Sequence, residues 1–459
     1  MKNSVLAFLL FVMLSNTAFA NITLPNIFSD NMVLQRNAEV KIWGWANPDE
    51  EVVVTPSWNN QQYKFKTNNQ AKWELIIPTP KEGGPYTITI KGYNEVELKN
   101  ILIGEVWICS GQSNMEMNAS WGIENGDEEV KNATNPNIRL FLVPKLTATT
   151  PQNNISGTWT NCTPETMKYF SAVGYFFGKR LNEELKNVPI GLISSNWGGT
   201  PAEIWMPEEV IQNDVVLLEA AKTRKEEKYG PNQPGRAFNA MIYPWVDFKI
   251  AGALWYQGES NVGSTVYDKT LSALITSWRK LWKNDFPFYF VQIAPYKYGE
   301  DHFGGAVIRD AQRKVLQEVP NTGMVMTSDI STVEDIHPKN KKSVGVRLAN
   351  LALVNTYKVN NAVVNGPLYK GITIDKNKVT VAFDYAEGLH FADKKADLFE
   401  LAGADNVFYK ATATIKNNTV VLQSAQVKAP IKVHYAWKNT DQSTLFNKAN
   451  LPASSFISE

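Results

Sequence analysis

Apolar and polar positions follow three successive patterns along this 459-residue chain. From Leu24 to about Asn100 the period is two, in Val40-Lys-Ile-Trp-Gly-Trp45, Glu51-Val-Val-Val54, Trp73-Glu-Leu-Ile-Ile77 and Tyr86-Thr-Ile-Thr-Ile90. Asn-Pro, Asn-Asn and Gly-Gly-Pro turn signals separate these runs, which predicts a small β-sandwich over residues 21–100. After Asn100, wholly apolar runs (Val106 to Cys109, Ile190 to Ile193, Ala251 to Tyr256, Phe288 to Ile293, Met324 to Met326) alternate with helical spacing. The helical sets are Phe170, Val173, Phe177, Leu181 and Leu185; Leu271, Leu274, Ile275, Trp278 and Trp282; Ile308, Ala311, Val315 and Val319; Val344, Leu348, Leu351 and Ala352. Strand alternating with helix predicts a parallel sheet covered on both faces, over residues 101–358. Period two returns in Gly371-Ile-Thr-Ile374, Val379-Thr-Val-Ala-Phe383, Thr419-Val-Val-Leu422 and Ile431-Lys-Val-His-Tyr435, so residues 359–459 should form a second small β domain. No Gly/Ser-rich linker divides the three parts, and they are expected to pack directly on each other.

The first residues belong to none of these patterns. Lys2, the apolar run Val5 to Leu14 and Ala18-Phe19-Ala20 read as a signal peptide over residues 1–20, with the mature chain starting at Asn21. The expected destination is the periplasm or the extracellular space. The run is too short to span a bilayer and no Cys follows it, so neither a membrane span nor a lipid anchor is expected after cleavage. A formal net charge of +1 gives no footprint for nucleic acid. Only Cys109 and Cys162 are present, so there is no disulfide framework and no cysteine metal site; whether the two pair is open, and Cys109 reads as a small core residue. The 14 Trp and 17 Tyr suit sugar-binding clefts, although core packing accounts for most of them equally well.

Four loops follow four of the expected parallel strands and carry residues that packing does not explain: Ser-Gly-Gln-Ser113-Asn, Asn196-Trp-Gly-Gly-Thr200, Gln257-Gly-Glu-Ser-Asn261 and Glu334-Asp-Ile-His337-Pro. In a parallel sheet all four open on one edge, where ligands bind. Acyl transfer needs a nucleophile, a base, a group that orients the base and donors for the oxyanion. Ser113 supplies the hydroxyl and His337 the base, with Asp335 as the orienting carboxylate and Glu334 and Asp329 as rivals. The backbone N–H groups of Ser113 and Gly199 and the side-chain amide of Gln257 are the expected oxyanion donors. His302, His390 and His434 fall in weaker contexts, and Glu259 reads as a buried carboxylate tying loops together.

Ser-Gly-Gln-Ser-Asn-Met115, Trp-Tyr-Gln-Gly-Glu-Ser-Asn261 and Asp-Ile-His-Pro338 resemble the motif blocks of the SGNH hydrolase superfamily, and specifically of its sialate O-acetylesterase family. Phe28-Ser-Asp-Asn-Met-Val-Leu-Gln35, Gly191 to Trp205, Arg309-Asp-Ala-Gln312 and Leu445-Phe-Asn447 are similar to that family as well, so the resemblance covers nearly the whole mature chain. It implies an α/β fold, a three-layer α/β/α parallel sheet flanked by small all-β domains, and hydrolysis of acetyl esters on sugars by a Ser-His-Asp apparatus without cofactor or metal. The superfamily places its Asp three residues before the His; here that position is Glu334, with Asp335 two before. The superfamily's oxyanion Asn has no plain counterpart, and Gln257 resembles its replacement in carbohydrate esterases of this type.

The partner expected is therefore an O-acetylated sugar or glycan, either a sialic acid or a plant polymer such as acetylated xylan; the sequence does not give the oligomeric state. A glycosidase using Glu259 with Asp335 or Asp329 would leave Ser113 and His337 without work. A sugar-binding protein without activity is the third reading. The chain has no His-Glu-x-x-His for metal chemistry and no Gly-x-Ser-x-Gly elbow around Ser113 for a conventional α/β-hydrolase.

Overall fold

Residues 95–111 form one 17-residue strand, Glu95–Gly111, around which the molecule is arranged. Exposed and covered residues are mixed up to Asn100, and every residue from Ile101 to Gly111 is buried. That change marks the passage from a half-solvated sheet to one covered on both faces. The first half pairs antiparallel with Gly83–Lys91 in the N-terminal β region, and the second half pairs parallel with Ile190–Asn196 and Gly252–Tyr256. The expected domain boundary at residue 100 thus falls inside a continuous strand. The computed structural model describes residues 21–224, 228–299 and 302–458; the expected signal peptide lies outside the described residues.

The central sheet runs Thr322–Val325, Phe288–Val291, Gly252–Tyr256, Glu95–Gly111, Ile190–Asn196, Asn135–Leu142, Trp159–Cys162, parallel throughout except for the last, antiparallel edge strand. The last two strands were not foreseen: Arg139 interrupts the apolar run of the first, and the second has only four residues, two of them the polar Thr160 and Asn161. The Arg139 guanidinium is buried on the side-chain oxygens of Asn161 and Asn100, which lets a cation occupy a core strand.

Alternation along the buried strands builds two cores. Val106 and Ile108 face Trp255, Phe288 and Phe290 with helices Tyr267–Trp282 and Gly304–Glu318, and this core continues into Val33, Ile42 and Val54 of the N-terminal sheets. Trp107 and Cys109 face Leu192 and Leu254 with helices Ala172–Glu184 and Lys341–Asn355. The result is the expected α/β/α arrangement, with all four helical spacings realised as helices. Helices Ala172–Glu184 and Lys341–Asn355 approach so closely that a Cβ on Gly345 would lie 2.6 Å from Cβ of Phe176. Cys109 and Cys162 are both buried and unpaired, and the Cys162 thiol donates to the carbonyl of Ala133.

The C-terminal region holds two four-stranded sheets around their own core of Val379, Leu401, Val420, Val433 and Phe456. Arg309, wholly buried on helix Gly304–Glu318, ties that region to the catalytic one. It donates to the carbonyls of Ala436, Lys438 and Asn439 and to Oγ of Ser455, at 2.6–3.3 Å. Burial lowers its pKa to about 10, which leaves it charged at neutral pH. Replacing Arg309 with Met keeps volume but removes four hydrogen bonds donated by a charged group, each worth about 1.5–3 kcal/mol. Hydrogen exchange of Arg309→Met should therefore show protection lost in Lys432–Tyr435 and Phe456–Ile457 and kept in Gly252–Tyr256. Unchanged protection in both C-terminal strands would contradict this role.

Candidate active site

Because the central strands are parallel, their carboxyl ends share one edge, and Ser113 sits two residues past the end of the middle one. Gly111 makes the turn at a φ of 136°, where a Cβ would lie 2.2 Å from the carbonyl oxygen of Tyr256. The side-chain oxygen of the next residue, Gln112, accepts from the backbone N–H groups of Gly258 and Ser260, pinning the third motif loop to the first.

His337 arrives from the loop after Thr322–Val325, and its Nε2 lies 2.8 Å from Oγ of Ser113. Two residues on distant loops thus form a nucleophile–base pair. Desolvation, followed by the nearby Lys341 ammonium, lowers the pKa of His337 against the opposing charges of Asp335 and Glu116. A lowered pKa keeps the imidazole neutral, and so able to accept a proton, further into acid solution.

The expected orienting carboxylate meets His337 differently from the expectation. Oδ1 of Asp335 accepts from the backbone N–H of His337 at 2.8 Å, so it fixes the loop and places a negative charge near the ring without a hydrogen bond to it. Glu334 is exposed, and Asp329 is held in a two-pronged ion pair with Arg347. Among the oxyanion donors, the backbone N–H groups of Ser113 and Gly199 have no acceptor among the described residues, and both residues line the cleft. Gly199 holds a φ of 76°, and Gly198 next to it donates to Glu116 and packs on Ser113.

Gln257 is a correction. It lies wholly buried beneath the cleft, where its amide donates to Oδ1 of Asn261 at 2.7 Å and the Thr200 carbonyl at 3.3 Å and accepts from the Tyr267 hydroxyl at 2.6 Å. Both donor hydrogens are committed, so the side chain serves the scaffold instead of the oxyanion.

Two residues that the motif reading gave no role connect the site. Asn114 donates to Oε1 of Glu259 at 2.6 Å and to the carbonyl of Ile336 at 2.9 Å, and accepts from Nζ of Lys341 at 2.5 Å. One amide therefore joins the nucleophile turn, the third motif loop and the residue preceding His337. Burial drives Lys341 down to about 7 and raises the pKa of Glu259, each the costly form to keep charged without the other's nearby charge. Oε2 of Glu259, which lines the cleft, has no hydrogen-bond partner among the described residues.

The cleft holds about 880 Å³. Trp121 stands on its rim edge-on to His337 at 6.3 Å, Tyr229 is 75% exposed, and Lys145 and Arg224 supply cations. His302 is exposed, His390 is exposed against Phe446, and His434 is stacked between Phe408 and Trp437; none of them lines this cleft. Among the described residues no cluster of His, Cys, Asp and Glu could hold a metal ion, and no helix is long and apolar enough to cross a membrane.

The chain is similar to known proteins over most of its length. Residues 103–354 match the family model for carbohydrate esterases described as sialic acid-specific acetylesterases. The chain is 29% identical to human sialate O-acetylesterase, over 94% of this chain and 91% of that one, and 26% identical to the mouse enzyme of the same name over 98% and 97%. A solved carbohydrate acetylesterase from Xanthomonas citri is 33% identical and superposes with a TM-score of 0.86, covering 95% of this chain and 99% of that one. With more than half of the chain matching the family model and 95% of it superposing on the solved acetylesterase, this chain belongs to the sialic acid-specific acetylesterase family of carbohydrate esterases.

Proposed function

We propose that the protein removes acetyl groups from O-acetylated sialic acids through an acetyl-Ser113 intermediate. The observation that carries this reading is the 2.8 Å approach of Nε2 of His337 to Oγ of Ser113 inside an open cleft. His337 takes the Ser113 proton as the oxygen attacks the acetyl carbonyl, and the oxyanion is received by the N–H groups of Ser113 and Gly199. The intermediate collapses as the C–O bond to the sugar breaks and His337 returns the proton to the leaving hydroxyl. Water, deprotonated by the same imidazole, then cleaves the acetyl ester and releases acetate, restoring Ser113. Asp335 acts as a positioning residue in this scheme, through the His337 backbone and its charge. Arg224 suits the carboxylate of an acidic sugar, Lys145 being paired with Glu116 at 2.6 Å, and the flat faces of Trp121 and Tyr229 suit its ring. Export to the periplasm or beyond, read from residues 1–20, is part of the same proposal, and a secreted product beginning at Asn21 would support it.

Acetate release should be measured from 9-O-acetylated sialic acid and from acetylated xylan. Release from the sialic acid, lost on the order of 10³-fold or more in Ser113→Ala and His337→Ala with folding intact, is expected. Release from xylan alone would keep the mechanism and move the substrate; turnover unchanged in Ser113→Ala would end the proposal. Asp335→Asn retains an oxygen acceptor for the His337 N–H, so its loss should stay near tenfold, about 1.4 kcal/mol, instead of the roughly 10⁴-fold of an Asp bonded to the ring. The acid limb of kcat/KM should fall below the ordinary histidine value of about 6.5, and a midpoint above it would contradict the environment described for His337. Asn114→Ala removes three hydrogen bonds, two of them to charged groups, and should lower kcat more than tenfold while KM changes little.

A further inference from the structure

A second concave site lies between the N-terminal β region and the catalytic region and shares no residue with the Ser113 cleft. It holds about 540 Å³ between the paired strands Glu39–Trp45 and Lys72–Pro78 and the turn Tyr243–Trp245 of the catalytic region. Period two places Val40, Ile42 and Gly44 inward and Lys41, Trp43 and Trp45 on the opposite face, which turns toward the catalytic region and leaves both indoles half-buried, Trp43 against the core. The register sets Glu74 beside Trp43 and Lys72 beside Trp45 on that same face. Tyr243, 38% exposed, and Asp247 form the facing wall, and Gln152 and Asn153 close one end.

These side chains are held in place before any ligand arrives. Trp43 packs edge-on against Phe28 at 4.6 Å and 80°, and Nζ of Lys41 bridges Glu74 at 3.1 Å and Asp247 at 3.2 Å across the two walls. Trp73 also reaches this cavity, and its buried indole N–H has no partner among the described residues. Flat aromatic faces beside carboxylates and side-chain amides match a pyranose ring, apolar on its C–H face and rimmed with hydroxyls. The two carboxylates are offset by Lys41 and Lys72, so there is no excess of cations for an anionic polymer and no continuous apolar floor for a peptide.

We propose that this cleft is an accessory binding site for a neutral oligosaccharide. Resting on the esterase reading above, its work is to hold the neutral part of the glycan whose acetyl groups the Ser113 cleft removes. A second attachment on the same chain raises the local concentration of a polymeric substrate and leaves a small ester unaffected.

The test uses the full mature chain carrying Ser113→Ala, titrated calorimetrically with galactohexaose, xylohexaose and mannohexaose. Saturable binding of at least one, weakened tenfold or more by Tyr243→Ala and by Asp247→Ser, is the expected result. Both positions are exposed, and unchanged melting curves separate lost binding from lost fold. In the active chain the same two changes should raise KM for an acetylated polymer severalfold and leave kcat/KM for 4-nitrophenyl acetate within twofold. No binding of any hexaose at millimolar concentration, or equal binding by the variants, overturns the proposal. Because binding is read in the inactive chain, it stands or falls separately from the acetyl-Ser113 mechanism.

Discussion

One strand obeys two sheets at once, and that constraint sets the rest of the molecule. Glu95–Gly111 must satisfy antiparallel partners over its first half and parallel partners over its second, with its register fixed by both. A slip of one residue would turn Trp107 and Cys109 out of one core and Val106 and Ile108 out of the other. The position of Ser113 is therefore decided by pairing that begins nearly twenty residues earlier. A hinge between the N-terminal and catalytic regions would have to break this strand, so adjustment of the active cleft is left to its loops, residues 198–200 and 259–263 among them.

The parts of the fold that the sequence made legible are those where one local pattern suffices. Wholly apolar runs became covered strands and spaced apolar sets became helices, because burial on two faces or on one leaves those traces directly. Asn135–Leu142 was hidden because a buried arginine mimics a surface position, and its partners Asn161 and Asn100 come from other elements. Within the site, the convergence of Ser113, His337 and Gly199 on one cleft was legible from residue type and loop position. The geometry of Asp335 was not, because a carboxylate two residues before a histidine can reach either its ring or its backbone. Gln257 had the right chemistry in the right loop, but Tyr267, Asn261 and Thr200 claim its amide, and no spacing shows such a claim in advance. Lys341 did leave a sign: a lysine in the first turn of a helix opposes the local dipole, and such a placement asks for a compensating partner.

The cleft rests on buried polar groups that satisfy one another. Asn114 holds Lys341 and Glu259 on opposite ends of one amide, and Asn261 does similar work for Glu203 and Gln257. Such networks are costly when half-satisfied and rigid when complete, which suits a site whose catalytic atoms come from loops. The loops are thus ordered by their undersides, while their upper surfaces, Gly199 and the rim residues Trp121 and Tyr229, stay open to a ligand.

Cys109 and Cys162 lie in the layer under this site, neither joined to the other. Burial alone raises the pKa of Cys109, and that of Cys162 is pushed up to about 12, so neither is a thiolate at neutral pH. The fold therefore closes without an oxidative step and gains nothing from one. The same molecule can be assembled in a reducing or an oxidising solution, and alkylating reagents that mark the unfolded chain will pass the folded one by.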